Sequence, residues 1–200
     1  KLMYVLNELI NKKQLSKKIA LDETYLTYQT KGFVNQNRRG ISKDKIGIAC
    51  AIDEDGNYVV HTADRGRPTS STLIDIFKNT IRPGSIVISD SQRSYHQLMD
   101  ALNIKWVKIP SGEKSKDGYT LEMVNHLHDR IKAFFRGKRN VMTHYLQGYL
   151  ALFQYSELHT MMIESKMFQD EFMNINNALS GIRNKNICPE VNLYKTLQEC

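Results

Sequence analysis

Apolar and polar positions alternate along KIALDETYLTY. Ile19, Leu21, Glu23 and Tyr25 fall on one face, and Ala20, Asp22 and Thr24 on the other. This spacing predicts a strand with one of two adjacent carboxylates on each side. KIGIACAID and NYVVHTA read as two more strands, and the Asp55-Gly56 pair between them is a hairpin signal. SIVISD is short and nearly all apolar, as in a strand buried on both faces, and NIKWVKI is a fifth strand. Helical spacing appears over residues 2–15, through Leu2, Val5, Leu6, Leu9 and Ile10. It returns in STLIDIFKNTI, which Thr69, Ser70 or Ser71 can cap, and from Ser91 to Leu102. The best helix runs from about Tyr119 to Arg136, with Leu121, Val124, Leu127 or His128, Ile131 and Phe135 on one stripe, and another runs from about Met142 to Tyr155. The segments KGFVNQNRRGISKDK, DRGRP, Arg82-Pro83-Gly84 and PSGEKSKDG read as loops.

Three strands with a hairpin, then helix, strand, helix, strand and two helices imply an α/β fold. The expectation is a ribonuclease-H-like mixed five-stranded sheet flanked by helices. With 200 residues and 41% hydrophobic content the chain can bury one sizeable core. Its formal net charge of +7 suits a polyanionic partner, because Lys and Arg gain affinity by releasing counterions from phosphates. The three cysteines, Cys50, Cys188 and Cys200, form no C-x-x-C pair, so neither a zinc ribbon nor a disulfide framework is read from them, and they fit a reducing, cytoplasmic setting. No apolar run approaches the roughly 20 residues of a membrane span. Neither a G-x-G-x-x-G nor a P-loop is present, which leaves a metabolic α/β enzyme little support.

Asp22 lies inside an apolar strand and Asp90 at the end of another. An uncompensated carboxylate there costs several kcal/mol, and a divalent cation offsets that cost. Hard cations such as Mg²⁺ take carboxylate, water and phosphate oxygens, and a pair of them can clamp both oxygens of a phosphoryl displacement. An Asp at a strand end is equally a helix cap or turn former. Asn125, His128, Asp129 and Lys132 lie beside the apolar stripe of their helix, with Asn125 and Lys132 two turns apart on one side. By spacing alone they describe the solvated face of an amphipathic helix.

In order along the chain, LDETYLTYQTKG, RGRP, SIVISDSQRSYHQL and VNHLHDRIKAFFRG resemble insertion-sequence transposases of the ISXO-like group, a DDE-type family. The similarity runs from about Ile19 to Tyr155 and includes RRGISKDKIGIACAIDEDGN and YLQGYLALFQY. The resemblance implies metal ligands at Asp22, Asp90 and Asn125, with a catalytic Lys132, and two Mg²⁺ or Mn²⁺ ions. It implies cleavage at insertion-sequence ends and strand transfer into target DNA. The implied partners are double-stranded DNA and further copies of the chain in a synaptic complex, with no membrane, in a cytoplasmic, nucleoid-associated setting. Ser91 stands where the group usually has Gly after the second Asp, and Tyr155 where it often has Trp.

Basic residues flanking this constellation are DNA-contact candidates: Arg38, Arg39, Arg65, Arg67, Lys114, Lys116, Arg136, Lys138 and Arg139, with His128 beside them. Residues 17–156 are expected to form the catalytic core. Residues 1–16 are expected to be the helical end of an N-terminal DNA-binding region, and 157–200 a helical extension. Two rival readings are an inactive DNA-binding remnant and a ribonuclease-H-like nuclease that cleaves without strand transfer.

Overall fold

The computed structural model describes residues 6–7, 14–30, 41, 43–113, 115–138 and 141–160. Five strands form the sheet expected from the alternation pattern: β1 (Lys18–Thr27), β2 (Lys45–Asp53), β3 (Tyr58–Arg65), β4 (Ile86–Asp90) and β5 (Lys105–Ile109). Their spatial order is β3-β2-β1-β4-β5. β2 is antiparallel to both β1 and β3, whereas β4 is parallel to both β1 and β5. This is the mixed, ribonuclease-H-like sheet anticipated above.

Among the described residues, four helices of eight residues or more accompany it: α1 (Ser70–Phe77), α2 (Ser94–Leu102), α3 (Glu122–Arg136) and α4 (Leu146–Thr160). Cα-contact grouping divides the chain into two compact units. The first, Lys13–Asn140, contains the sheet and α1–α3. In it, Leu73 and Phe77 of α1 and Tyr95, Leu98 and Met99 of α2 join Ile19, Leu21, Ala49, Ala51 and Val87 in one apolar cluster. Ile19 and Leu21 are alternate residues of β1, so this cluster fixes which face of the sheet α1 and α2 cover. α3 packs against β1 and β2, burying Val124, Leu127, His128, Ile131 and Phe135.

The hairpin at Asp55-Gly56 forms as read. Gly56 takes φ +83°, and the buried Asp53 carboxylate accepts from the backbone N–H groups of Asp55 and Asn57 at 3.1 and 2.9 Å. Thr69 caps α1 through the Thr72 amide at 3.3 Å. Two readings change. The segment read as the loop PSGEKSKDG and the start of a helix contains a small hairpin, β6 (Ser115–Lys116) and β7 (Tyr119–Thr120). Its turn residues Asp117 and Gly118 both take positive φ, so the helix begins at Glu122 instead of Tyr119. Likewise α2 begins at Ser94 instead of Ser91, because a turn follows Asp90, with the Gln92 amide bonded to the Asp90 carboxylate.

The second unit comprises Lys1–Lys12 and Val141–Cys200. A 3₁₀ turn, Thr143–Tyr145, leads into α4, which buries Leu146, Leu150 and Phe153 at helical spacing. Within this unit the Gln147 side-chain amide donates to Asn7 at 3.0 Å. Of the expected 2–15 helix, residues 6–7 and 14–15 are described; 6–7 are helical, whereas Leu15 forms a parallel β-bridge with Ile81, so the helix does not reach it. Residues 161–200, Arg38, Arg39, Lys114 and Arg139 lie outside the described residues. Among the described residues no helix is long and apolar enough to cross a membrane.

Candidate active site

Asp22 projects from the middle of β1, and Asp90 is the last residue of β4. The parallel register pairs Lys18 with Ile86, Ile19 with Val87 and Ala20 with Ile88. Two residues beyond that last pair lie Asp22 and Asp90. By alternation they share the sheet face of Ala20 and Ile88, opposite the Ile19, Leu21 and Val87 of the apolar cluster, and the charge of Asp90 is felt at Asp22. Burial pushes the Asp22 carboxyl up to about 6, and the charge of Asp90 adds to the rise. The Glu23 amide, 2.9 Å from Asp22 Oδ1, and the Lys132 ammonium act in the opposite direction.

α3 supplies the facing residues. His128 is only 5% exposed; its ring interacts with the backbone of Asp22, and its Nε2 is buried with no hydrogen-bond partner. Burial, and then the Lys132 charge, hold its pKa down to about 4, so the ring is neutral at neutral pH. Asn125 lies one turn before His128 and Lys132 one turn after it, both exposed. The electrostatic coupling links Asp22, Asp90 and Lys132 directly. Asn125 shares the helix with Lys132, two turns before it, and its side chain is exposed.

On the opposite face of β1 sits a group that the sequence reading did not single out. The Glu23 side chain is buried; Tyr95 Oη donates to its Oε1 at 2.8 Å, and Gln92 Nε2 donates to both of its oxygens at 3.4 Å. Burial pushes this carboxyl up to about 7, with Tyr95 opposing and the charges of Asp22 and Asp90 adding. The signal for it was present, since alternation places Glu23 on the apolar Ile19–Leu21 face, where a carboxylate needs partners.

The basic residues divide into two sets. Arg67, Lys116 and Arg136 are exposed. Arg65 is partly buried, donating from Nε to the Lys43 carbonyl at 2.9 Å with its guanidinium 3.8 Å from the centre of the Tyr28 ring. Lys138 donates to the Phe134 carbonyl at 3.0 Å and lies over the Phe134 ring.

Among the described residues no group of three or more His, Cys, Asp or Glu side chains is placed to hold a metal ion. The groups that do interact electrostatically here are the Asp22 and Asp90 carboxylates and the Lys132 ammonium. A hard cation would suit the carboxylate oxygens, because it relieves the repulsion that the Asp90 charge exerts on the Asp22 carboxylate.

Sheet order and site together define a ribonuclease-H-like domain with an acidic centre at the ends of its middle strands. The chain belongs to the DDE-type transposases, within the ISXO2-like transposase domain family, whose model matches residues 14–157. No curated protein matches the chain. Among solved structures it is similar to a chain of the simian T-cell lymphotropic virus intasome in complex with PP2A regulatory subunit B56 gamma. That match has 15% identity and a TM-score of 0.47, covering 70% of this chain and 48% of the other. It is also similar to a chain of the Drosophila P element transposase strand transfer complex, at 14% identity and a TM-score of 0.29, covering 52% and 25%. The chain thus spans half or less of these solved chains, and its fold assignment rests on its own strand order.

Proposed function

We propose that this chain is the catalytic core of a DNA transposase that cleaves at insertion-sequence ends and joins the exposed end to target DNA. The observation that supports this reading is the parallel register of β1 and β4, which pairs Ala20 with Ile88 two residues before Asp22 and Asp90. Asp22, Asp90 and the Asn125 carbonyl oxygen would hold two Mg²⁺ or Mn²⁺ ions. When bound, such ions supply charge neutralisation at the phosphoryl group and activate the attacking oxygen.

The residues of the chain position the rest. Lys132 holds a DNA phosphate oxygen beside the scissile bond. His128, neutral and buried, seats α3 against the backbone at Asp22 and so sets where Asn125 and Lys132 stand. Cleavage uses water and joining uses the 3′-hydroxyl of the cut end. Both are phosphoryl transfers, so one set of positioned groups serves both. Arg67, Lys116 and Arg136 contact the DNA backbone and add affinity without sequence choice. Several copies of the chain would assemble on paired DNA ends.

Asp90→Asn is expected to abolish Mg²⁺-dependent cleavage of a duplex carrying the element's end, while binding of that duplex in a gel-shift assay stays within about threefold. Undiminished cleavage by Asp90→Asn sinks the assignment. With a pre-cut end the unsubstituted chain should yield joined product; cleavage without joining would instead mark a nuclease.

A further inference from the structure

The two strands that carry Asp22 and Asp90 pair only as far as Ala20 and Ile88. Beyond that point no backbone pairing of β1 with β4 holds the carboxylates at a fixed separation. A different set of bonds spans the gap. The Glu23 amide donates to Asp22 Oδ1 at 2.9 Å, and the Gln92 amide donates to Asp90 Oδ1 at 3.0 Å. The side chains of these same two residues meet on the far side of β1, Gln92 Nε2 lying 3.4 Å from both Glu23 oxygens. Tyr95, fully buried in α2, anchors the junction through its 2.8 Å bond to Glu23, and Ser94 Oγ accepts from Gln92 Nε2 at 2.8 Å. Each carboxylate is thus oriented by the backbone of a residue whose side chain grips its counterpart.

We infer that Glu23 and Gln92 are positioning residues that together form a clamp fixing the separation and orientation of the Asp22 and Asp90 carboxylates, with Tyr95 as its anchor. This rests on the reading of Asp22 and Asp90 as metal ligands. Groups that orient ligands from behind in this way typically account for about 10–100-fold in metal affinity. The clamp needs the Glu23 oxygens as acceptors, so Gln at this position retains part of it and Ala none.

The test is Mn²⁺ binding to the full chain without DNA, followed by electron paramagnetic resonance, with thermal melting of each variant recorded alongside. Asp90→Asn should lose Mn²⁺ binding. Gln92→Ala removes a half-buried side chain at little cost to packing, and it should bind Mn²⁺ about tenfold more weakly with its melting temperature nearly unchanged. Glu23→Gln should weaken binding less than Glu23→Ala. The double variant Glu23→Gln/Gln92→Ala should be no weaker than Gln92→Ala, because either change opens the same link. If Asp90→Asn loses Mn²⁺ binding while Gln92→Ala binds as tightly as the unsubstituted chain, the clamp is wrong and the ligand assignment stands. If Asp90→Asn itself binds Mn²⁺ normally, the ligand assignment has failed. A melting temperature that falls without a change in affinity reduces the network to a packing role and overturns the inference.

Discussion

His61 shows how burial writes a pH dependence into a single side chain. It sits on β3 with Nδ1 2.8 Å from the Thr62 carbonyl oxygen, and burial lowers its pKa below the ordinary 6.5 while that carbonyl acts the other way. The unfolded chain therefore takes up this proton first as pH falls. The stabilising contribution is complete above the unfolded pKa, and it is lost as pH drops from 6.5 toward the lower folded value. His61→Gln should remove that component. Urea titrations of the two proteins are expected to show the unsubstituted chain losing stability relative to the variant between about pH 7.5 and 5.5. A gap that stays constant over that range would contradict the assignment. Residue-scale legibility was high at Asp22 and Glu23, since alternation alone separated them onto opposite faces. It was low at His128, because an amphipathic stripe gives the same spacing whether its edge histidine is solvated or pressed against a strand.

At the scale of elements, turn chemistry sets where strands and helices stop. The Asp53 carboxylate bonds three donors of its hairpin, the amides of Asp55 and Asn57 and the Asn57 side chain. Asp53→Ala should cost about 1–3 kcal/mol in urea unfolding, because amide groups lose their acceptor in a partly buried place. A change below about 0.5 kcal/mol would show that water replaces it readily. An Asp-Gly pair stands at both hairpins, but only the one at 55–56 was read as a hairpin turn. At 55–56 it lay between long alternating runs, whereas at 117–118 the strands are two residues each and too short to show any alternation. Gly118 has φ +78° with open space where a Cβ would stand. Gly118→Ala should therefore destabilise only through backbone strain, by about 1 kcal/mol.

Over the whole molecule, the charge of +7 makes the DNA affinity that the proposed function requires a question of salt. A plot of log affinity against log salt concentration should be steeply negative, and Arg136→Ala should reduce its slope by about 0.9 if that exposed side chain meets a phosphate. An unchanged slope removes Arg136 from the interface. The sheet order was legible because each strand carries its own periodicity, and periodicity survives without knowledge of the partner strand. The third proposed ligand was not legible in that way: Asn125 on an exposed helix face looks like any solvated side chain, and only the resemblance of VNHLHDRIKAFFRG singled it out. The clamp was hidden for a related reason, since Gln92 acquires meaning only when it meets a side chain from another strand.

That meeting also has a place in time. Glu23 and Gln92 are 69 residues apart along the chain, and β1 pairs with β4 only after β2, β3 and α1 have intervened. Closing so long a loop is slow compared with forming the local hairpin. During synthesis the β1–β2–β3 meander can form while β4 is still unmade. The acidic centre is then assembled only after the meander, and a chain that ends before Asp90 carries a folded-looking meander with half a site and no means of completing it.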